Sequence, residues 1–363
     1  MGVRQCSIAA VLVAFMAAAC SGSSNPPAAS SSRSGRTSAV PPQSSPTHAP
    51  SPTSPPSPIP LPRGQTASVE TDPYPFGVTV AFGKVWVTSH DGQSLQAIDP
   101  VTDQIVRTVG LTVQPGSVVS GAGWIWVQSR TDNTLIRVDP TTFATKVIRL
   151  GGSGSPTCSI AFGHGFVWVA TAPSSDLGTR GVISRVQPST GLVAARIPVR
   201  GFPCGFASVG AEEWTATPHG VVGMSVGSDA VHEVPVPQFQ NGLAWLGGAV
   251  GGHLFVAVGA SGGFSTVVYR IDPSKGTVTG ILHRPSDNLI PLEVATTGIW
   301  FNSDGSDQIL VVDPATMRVT AMGSLDTGEV ITDPTMKPTE LWLPDQPGNV
   351  VNIDPAAFLH RKG

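Results

Sequence analysis

The sequence predicts an all-β fold, a seven-bladed β-propeller with four-stranded blades, and three observations carry that expectation. An aromatic residue set in an apolar strand recurs at Trp86, Trp126, Trp168, Trp214, Phe255, Trp300 and Trp342, at spacings of 40, 42, 46, 41, 45 and 42 residues. An apolar strand ending in Asp-Pro follows most of these anchors, as in Ile98-Asp99-Pro100, Val138-Asp139-Pro140, Ile271-Asp272-Pro273, Val312-Asp313-Pro314 and Ile353-Asp354-Pro355. Glycine and proline supply 41 and 34 of the 363 residues while only 12% are charged. Helix bundles, coiled coils and helical solenoids are excluded by that composition, because their exposed faces need Lys, Glu and Arg and their interiors reject Gly and Pro. A period of about 40–45 residues holding four strands is the mark of a propeller blade.

The first unit shows how each strand is read. Strand A runs near Val78–Phe82 and ends in a Gly-containing turn at Gly83; B is Val85–Ser89, C is Leu95–Asp99 and D is Ile105–Leu111. Asp-Pro separates C from D, since Asp accepts backbone hydrogen bonds at the first position of a type I turn and Pro presets φ at the second. The third unit has Val186-Gln187-Pro188 in that place and the fourth has lost the pair. After Pro355 only eight residues remain, too few and too irregular for a last strand D. The segment 65–71, centred on Val69, has no partner of its own and is expected to close the last blade as its outer strand, removing two exposed edges.

The chain ahead of the repeats is of another kind. Residues 1–19 carry one early charge at Arg4, an apolar run from Ile8 to Ala18, and small residues up to Ala19 directly before Cys20. That order predicts a secretory signal peptide, too short to span a bilayer. Its small-residue end before Cys resembles the bacterial lipobox, which implies acylation of Cys20, with ordinary cleavage further on as the alternative. Residues 20–64 follow as a tether: from Ser21 to Gly64 the chain holds 13 Ser, 12 Pro and 3 Thr and no acidic residue, a composition unable to form a core. The expected location is the cell membrane, lipid-anchored on its extracytoplasmic side, or otherwise the secreted fraction. The domain boundaries are therefore 1–19, 20–64 and 65–363.

Charge and cysteines narrow the partners. The formal net charge of −3 leaves no basic footprint for nucleic acid. Setting aside the four arginines of the acid-free first 69 residues leaves 17 basic against 24 acidic residues, or −7, for the repeat region. Cys158 and Cys204 each stand ten residues before an anchor Trp, close to Pro156 and Pro203, at equivalent places in neighbouring blades. If the innermost strands start about 6–8 Å from the ring axis, neighbours lie roughly 5–7 Å apart, the Cα range of a disulfide. In an oxidising compartment such a pair is expected to bridge, two reduced buried thiols being the alternative.

The B strands Val85-Trp86-Val87-Thr88-Ser89, Ile125-Trp126-Val127-Gln128-Ser129, Val167-Trp168-Val169-Ala170-Thr171 and Ile299-Trp300-Phe301-Asn302-Ser303 carry a resemblance. Together with the turns Asp99-Pro100-Val101-Thr102 and Asp313-Pro314-Ala315-Thr316, they resemble the bacterial YVTN-repeat and virginiamycin-B-lyase-like propeller superfamily over residues 66–360. The resemblance implies the seven-bladed fold. It also implies, for the lyase members, a His base and Glu-held magnesium near the channel, a set not recognisable here, so no catalytic residue is transferred.

Candidate ligand residues come from the loops on the B-to-C and D-to-A face, where propellers bind. They are His90, Arg130, His219, Asn241, Arg284 and Asp304. Asp91, Asp132, Asp304 and Asp345 recur in tight turns and read as turn caps. His90 and His219 near B-strand ends are candidates to meet over the channel as metal ligands or as a base, although exposed loop histidines are commonly idle. His164 and His253 fall in A-to-B turns and read as solvent residues. No Ser-His-Asp order, phosphate loop or HExxH sequence is present. Two functions stay open: a monomeric binding module at the cell envelope, taking a protein, glycan or small molecule and no cofactor, or a lyase-like or lactonase-like enzyme holding a divalent cation at the channel mouth.

Overall fold

Seven antiparallel four-stranded sheets follow one another along the chain in the computed structural model. It describes residues 65–359 apart from 153–154, 175, 241, 260–265, 286, 296, 305–307, 325–334, 338–339 and 346–347. The signal peptide, Cys20 and the tether lie outside the described residues. Blade 1 comprises Pro75–Ala81, Lys84–Ser89, Ser94–Asp99 and Gln104–Gly110, paired in that order from the inner strand A to the outer strand D. Blades 2 to 6 repeat the plan. In blade 7 the strands Thr335–Lys337, Glu340–Asp345 and Asn349–Ile353 are completed by Gln65–Glu70 from the other end of the repeat region. Its register runs from Ala67 opposite Asn352 to Glu70 opposite Asn349. A short helix, Pro355–Leu359, follows Ile353.

Burial falls outward along each blade. In blade 1 strand B is buried at Val85, Trp86 and Val87, whereas nearly every residue of strand D is exposed. Such a sheet needs cover on both faces only near the ring centre, so apolar runs belong to B and C and polar residues to D. The anchor aromatics Trp86, Trp126, Trp168, Trp300 and Trp342 are fully buried. Burying one such side chain contributes about 2–3 kcal/mol. Three indole N–H groups donate to the strand A end of their own blade: Trp86 to the Ala81 carbonyl at 3.0 Å, Trp126 to Gly121 at 3.1 Å and Trp168 to Gly163 at 3.0 Å. Each anchor is thereby tied to the A-to-B turn. Phe82-Gly83, Ala122-Gly123, His164-Gly165 and Gly251-Gly252 there have positive φ at both central residues, the two-residue turn that matches strand twist.

The Asp-Pro landmark folds into a longer loop than a simple type I turn. Asp139 Oδ1 accepts from the Thr141 and Thr142 amides at 2.8 Å each, and Asp99, Asp272, Asp313 and Asp354 repeat the pattern. The chain then closes through a left-handed residue, Asp103, Phe143 or Met317, whose amide donates to the carbonyl of the aspartate four back. Blades 3 and 4 make the same closure without Asp-Pro, Gly191 bonding Gln187 at 2.8 Å and Asp229 bonding Ser225 at 3.1 Å. Backbone geometry, not the aspartate, carries the loop.

Neighbouring blades are clasped from the C strands. Arg137, Arg185 and Arg270 sit opposite the anchors Trp126, Trp168 and Phe255. Each donates to a carbonyl in the C-to-D loop of the next blade: Pro188 at 2.9 Å, Val226 at 2.6 Å and Pro314 at 2.9 Å. Arg137 also lies over the Trp124 ring at 4.0 Å and Arg185 over Phe166 at 4.7 Å. Phe143 and Phe358 serve the same boundary by apolar contact, against Trp86 at 5.7 Å and Trp300 at 5.4 Å.

Candidate functional site

The upper face carries the B-to-C turns and the starts of the A strands. Each A strand of blades 1 to 6 breaks register, near its start in blades 1 to 4, between Pro75 and Val78, Pro115 and Val118, Pro156 and Ile160, and Cys204 and Ala207, and in mid-strand in blades 5 and 6, between Leu246 and Gly248 and between Pro291 and Glu293. A bulge at this point re-aims side chains and frees backbone groups. Thr88 takes up two of those groups, accepting from the Gly77 amide at 2.9 Å and donating to the Gly116 carbonyl of the next blade at 2.6 Å. Gln128 Nε2 does the same one blade on, reaching the Ser159 carbonyl at 3.4 Å.

Blades 1 and 2 carry two of the candidates, Arg130 and His90. The Arg130 guanidinium lies over the Phe76 ring at 4.4 Å, and its stem crosses Gly116, where an added Cβ would meet Arg130 Cγ at 2.8 Å. Tyr74, two residues before Phe76, is 44% exposed and held at a φ of 58°. The Tyr74 carbonyl accepts from the His90 amide at 2.8 Å, and His90 Nδ1 meets Asp91 Oδ1 at 2.8 Å. Beneath them Ser94 Oγ donates to Asp72 Oδ2 at 2.5 Å and the Asp72 amide donates to Gln96 Oε1 at 2.8 Å. The result is an aromatic and cationic patch on braced loops. Only the fold sets Phe76 under Arg130, because the two belong to neighbouring blades.

The remaining candidates are dispersed. His219, in blade 4, lines a shallow depression of about 70 Å³ with Arg200, Thr217 and Glu233. His90 is held by Asp91 in its own turn, and in the turn of blade 4 the His219 backbone amide donates to Thr217 Oγ1 at 3.3 Å. Arg284 pairs with Asp287, its Nε 2.5 Å from Oδ2, in the connection after blade 5. Asn241 and the side chain of Asp304 lie outside the described residues. Among the described residues no three His, Cys, Asp or Glu side chains converge as a metal site.

On the opposite face the structure holds a group that loop reading passes over. Glu213, in strand Glu212–Thr217 of blade 4, has a side chain only 1% exposed. Ser208 Oγ donates to its Oε2 at 2.6 Å, and His164 Nε2 stands 4.0 Å from the same oxygen. Burial pushes the carboxyl up to about 7, against the lowering pull of the Ser208 hydroxyl and of His164. Gly163 makes room for it, since a Cβ there would overlap Oε2. His164 is exposed, as its turn position implies, and its Nε2–H donates to the Glu212 carbonyl at 3.2 Å. Aligning the seven B strands is the signal that finds Glu213, because the other six bury Val85, Ile125, Val167, Leu254, Ile299 and Leu341 there.

The fold defines a seven-bladed β-propeller, and the comparisons agree with that class. No family model matches the chain, and no curated protein matches it in sequence. Solved propellers match in shape. A catalytically inactive variant of virginiamycin B lyase from Staphylococcus aureus, solved with quinupristin, has 16% identity and a TM-score of 0.66, covering 79% of this chain and 98% of its own. The WD40 propeller domain of Doa1 has 12% identity and a TM-score of 0.66, covering 82% of this chain and 99% of its own. The computationally designed Ika8 protein has 12% identity and a TM-score of 0.56, covering 80% and 99%. An antibiotic lyase, a WD40 domain and a designed protein share the architecture, so the likeness establishes fold and leaves chemistry to the site.

Proposed function

We propose that this chain is a monomeric, extracytoplasmic binding module, anchored to the membrane through acylated Cys20, that engages an envelope protein or glycan with the upper face of blades 1 and 2. One observation carries the reading: Arg130 stacked on Phe76, with exposed Tyr74 two residues before that ring in the chain. Arginine and tyrosine are the side chains in which binding energy concentrates, and a pre-stacked guanidinium has little freedom left to lose on contact. Among the described residues no helix is long and apolar enough to cross a membrane, and the anchoring rests on the residues before Cys20.

The purified full chain, presented to cell-envelope fractions and to a glycan array, is expected to retain a ligand. Tyr74→Ala and Arg130→Ala each weaken retention by roughly tenfold or more, the cost of an anchor residue, with the thermal midpoint unchanged. A chain that binds nothing but turns over a small molecule when supplied with magnesium overturns this reading in favour of the lyase-like one.

We also infer that Cys158 and Cys204 are bonded to each other. Supporting this, the residues that follow them touch, the Gly205 amide donating to Ser159 Oγ at 3.0 Å. Cys204 is fully buried, while the Cys158 side chain lies outside the described residues.

A further inference from the structure

An open groove of about 480 Å³ runs along the rim between blades 2 and 3. One wall is the outer strand of blade 2, Thr145–Arg149, which is a sheet edge. An edge strand presents backbone N–H and C=O groups without a neighbour, a template for one more strand. The other wall is the loop through Leu192 and the first half of the outer strand Val193–Arg200. Two cations stitch the walls together: Lys146 Nζ donates to the Thr190 carbonyl at 3.4 Å, and Arg196 Nε donates to the Leu150 carbonyl at 2.8 Å.

The lining is unlike the rest of the domain. Lys146, Arg149 and Arg196 line the groove and no carboxylate does, Lys146 on the strand face turned to blade 3 and Val147 and Arg149 on the other, in a repeat region where acids outnumber bases by 24 to 17. Val147 and Leu192 stand 47% and 68% exposed in the same groove. Apolar side chains placed among cations on an open edge call for an occupant with both acidic and apolar groups. The chain's own tether has arginines and no acid, so it does not complement this lining. A polyanion would satisfy the cations and leave Val147, Leu192 and the backbone edge unused.

We propose that this groove docks an extended acidic segment of a partner protein as a fifth strand on blade 2. Its side chains alternate as those of the edge strand do: carboxylates on the face turned to blade 3 lie against Lys146 and Arg196, and apolar side chains on the other face lie against Val147. Main-chain pairing supplies affinity and the alternate side chains supply selectivity, as in other strand-addition complexes. This surface is separate from the upper face and stands or falls without it.

The probe is a fluorescein-labelled peptide of about ten residues alternating Glu and Val, long enough to cover one edge strand, titrated against the full chain at low ionic strength by anisotropy. Alternating Lys/Val and Glu/Ser peptides serve as controls. The Glu/Val peptide is expected to bind, and Lys146→Glu with Arg149→Glu to weaken it by about tenfold or more, since reversal replaces attraction with repulsion. Val147→Ser is expected to weaken it about threefold through lost apolar contact. All three residues are exposed, so the thermal midpoint serves as the folding control. The proposal is overturned if Lys/Val binds as well, if charge reversal changes nothing, or if polyphosphate competes fully while Val147→Ser is neutral. Self-association of the chain that charge reversal abolishes would make a second copy the occupant and overturn it equally.

Discussion

Glu213 is the residue at which the repeat departs furthest from itself. Six blades bury an aliphatic side chain before the anchor aromatic, and blade 4 buries a carboxyl whose surroundings are a serine hydroxyl, the His164 imidazole, the bare Gly163 and the neighbouring Glu212, itself 3.7 Å from His232. Burial raises its pKa from 4.5 to about 7 in the folded chain. The native state therefore binds the proton more tightly than the unfolded one, and stability falls as pH rises from about 4.5 to 7, then stays level. About 3 kcal/mol is at stake across that window. Glu213→Gln keeps the shape and the Ser208 contact without ionising. Urea unfolding of the variant is expected to give wild-type stability near pH 4.5 and a gain approaching about 3 kcal/mol at pH 8. Parallel pH profiles for the two proteins would show that the carboxylate is already ionised when folded.

At the scale of the element, the joints between blades decide rigidity. The joint between blades 1 and 2 uses Thr88, that between 2 and 3 uses Gln128 and Arg137, and that between 3 and 4 uses Arg185, bonded to Val226 and paired with Asp229 at 2.7 Å. At this third joint the position equivalent to Thr88 is Ala170, too short to reach across, and the proposed Cys158–Cys204 bond would take its place. Non-reducing peptide mapping is expected to return these two cysteines linked. Cys204→Ser is expected to cost about 3–4 kcal/mol, the loop-closure contribution of a bond spanning some 45 residues. Free thiols at both positions in protein recovered from an oxidising compartment would refute the pairing. The anchors, the spacing and the Asp-Pro loops of these elements were legible in the sequence, because packing between blades demands the same side chain at the same place in every repeat. The arginine clasps were legible only in part: Arg137, Arg185 and Arg270 stand at one repeat position, yet their acceptors are backbone carbonyls, which leave no trace in a sequence.

The whole ring depends on the pairing of Gln65–Glu70 with Asn349–Ile353. Ala67 and Val69, each 6% exposed, fill the outer part of blade 7 beside Trp342 and Val350. A chain lacking residues 65–70 leaves Asn349–Ile353 as a bare edge. Such a variant is expected to melt roughly 10 °C lower, the consequence of losing a few kcal/mol in a domain of this size, and to associate through that edge. Calorimetry with sedimentation tests both, and an unchanged midpoint with a monomeric variant would show that closure is dispensable.

The sequence by itself determined the number of blades, their order and the place of each anchor strand, since each rests on local pattern and on a period repeated seven times. Only the tertiary structure decided which loop residues meet. Phe76 and Arg130, far apart in the repeat pattern, come together across a blade boundary. The buried setting of Glu213 and the basic groove at the rim of blades 2 and 3 arise in the same way. Repeats encode contacts between equivalent positions; a site is made where unlike positions from neighbouring blades touch, and that proximity exists only once the ring has formed.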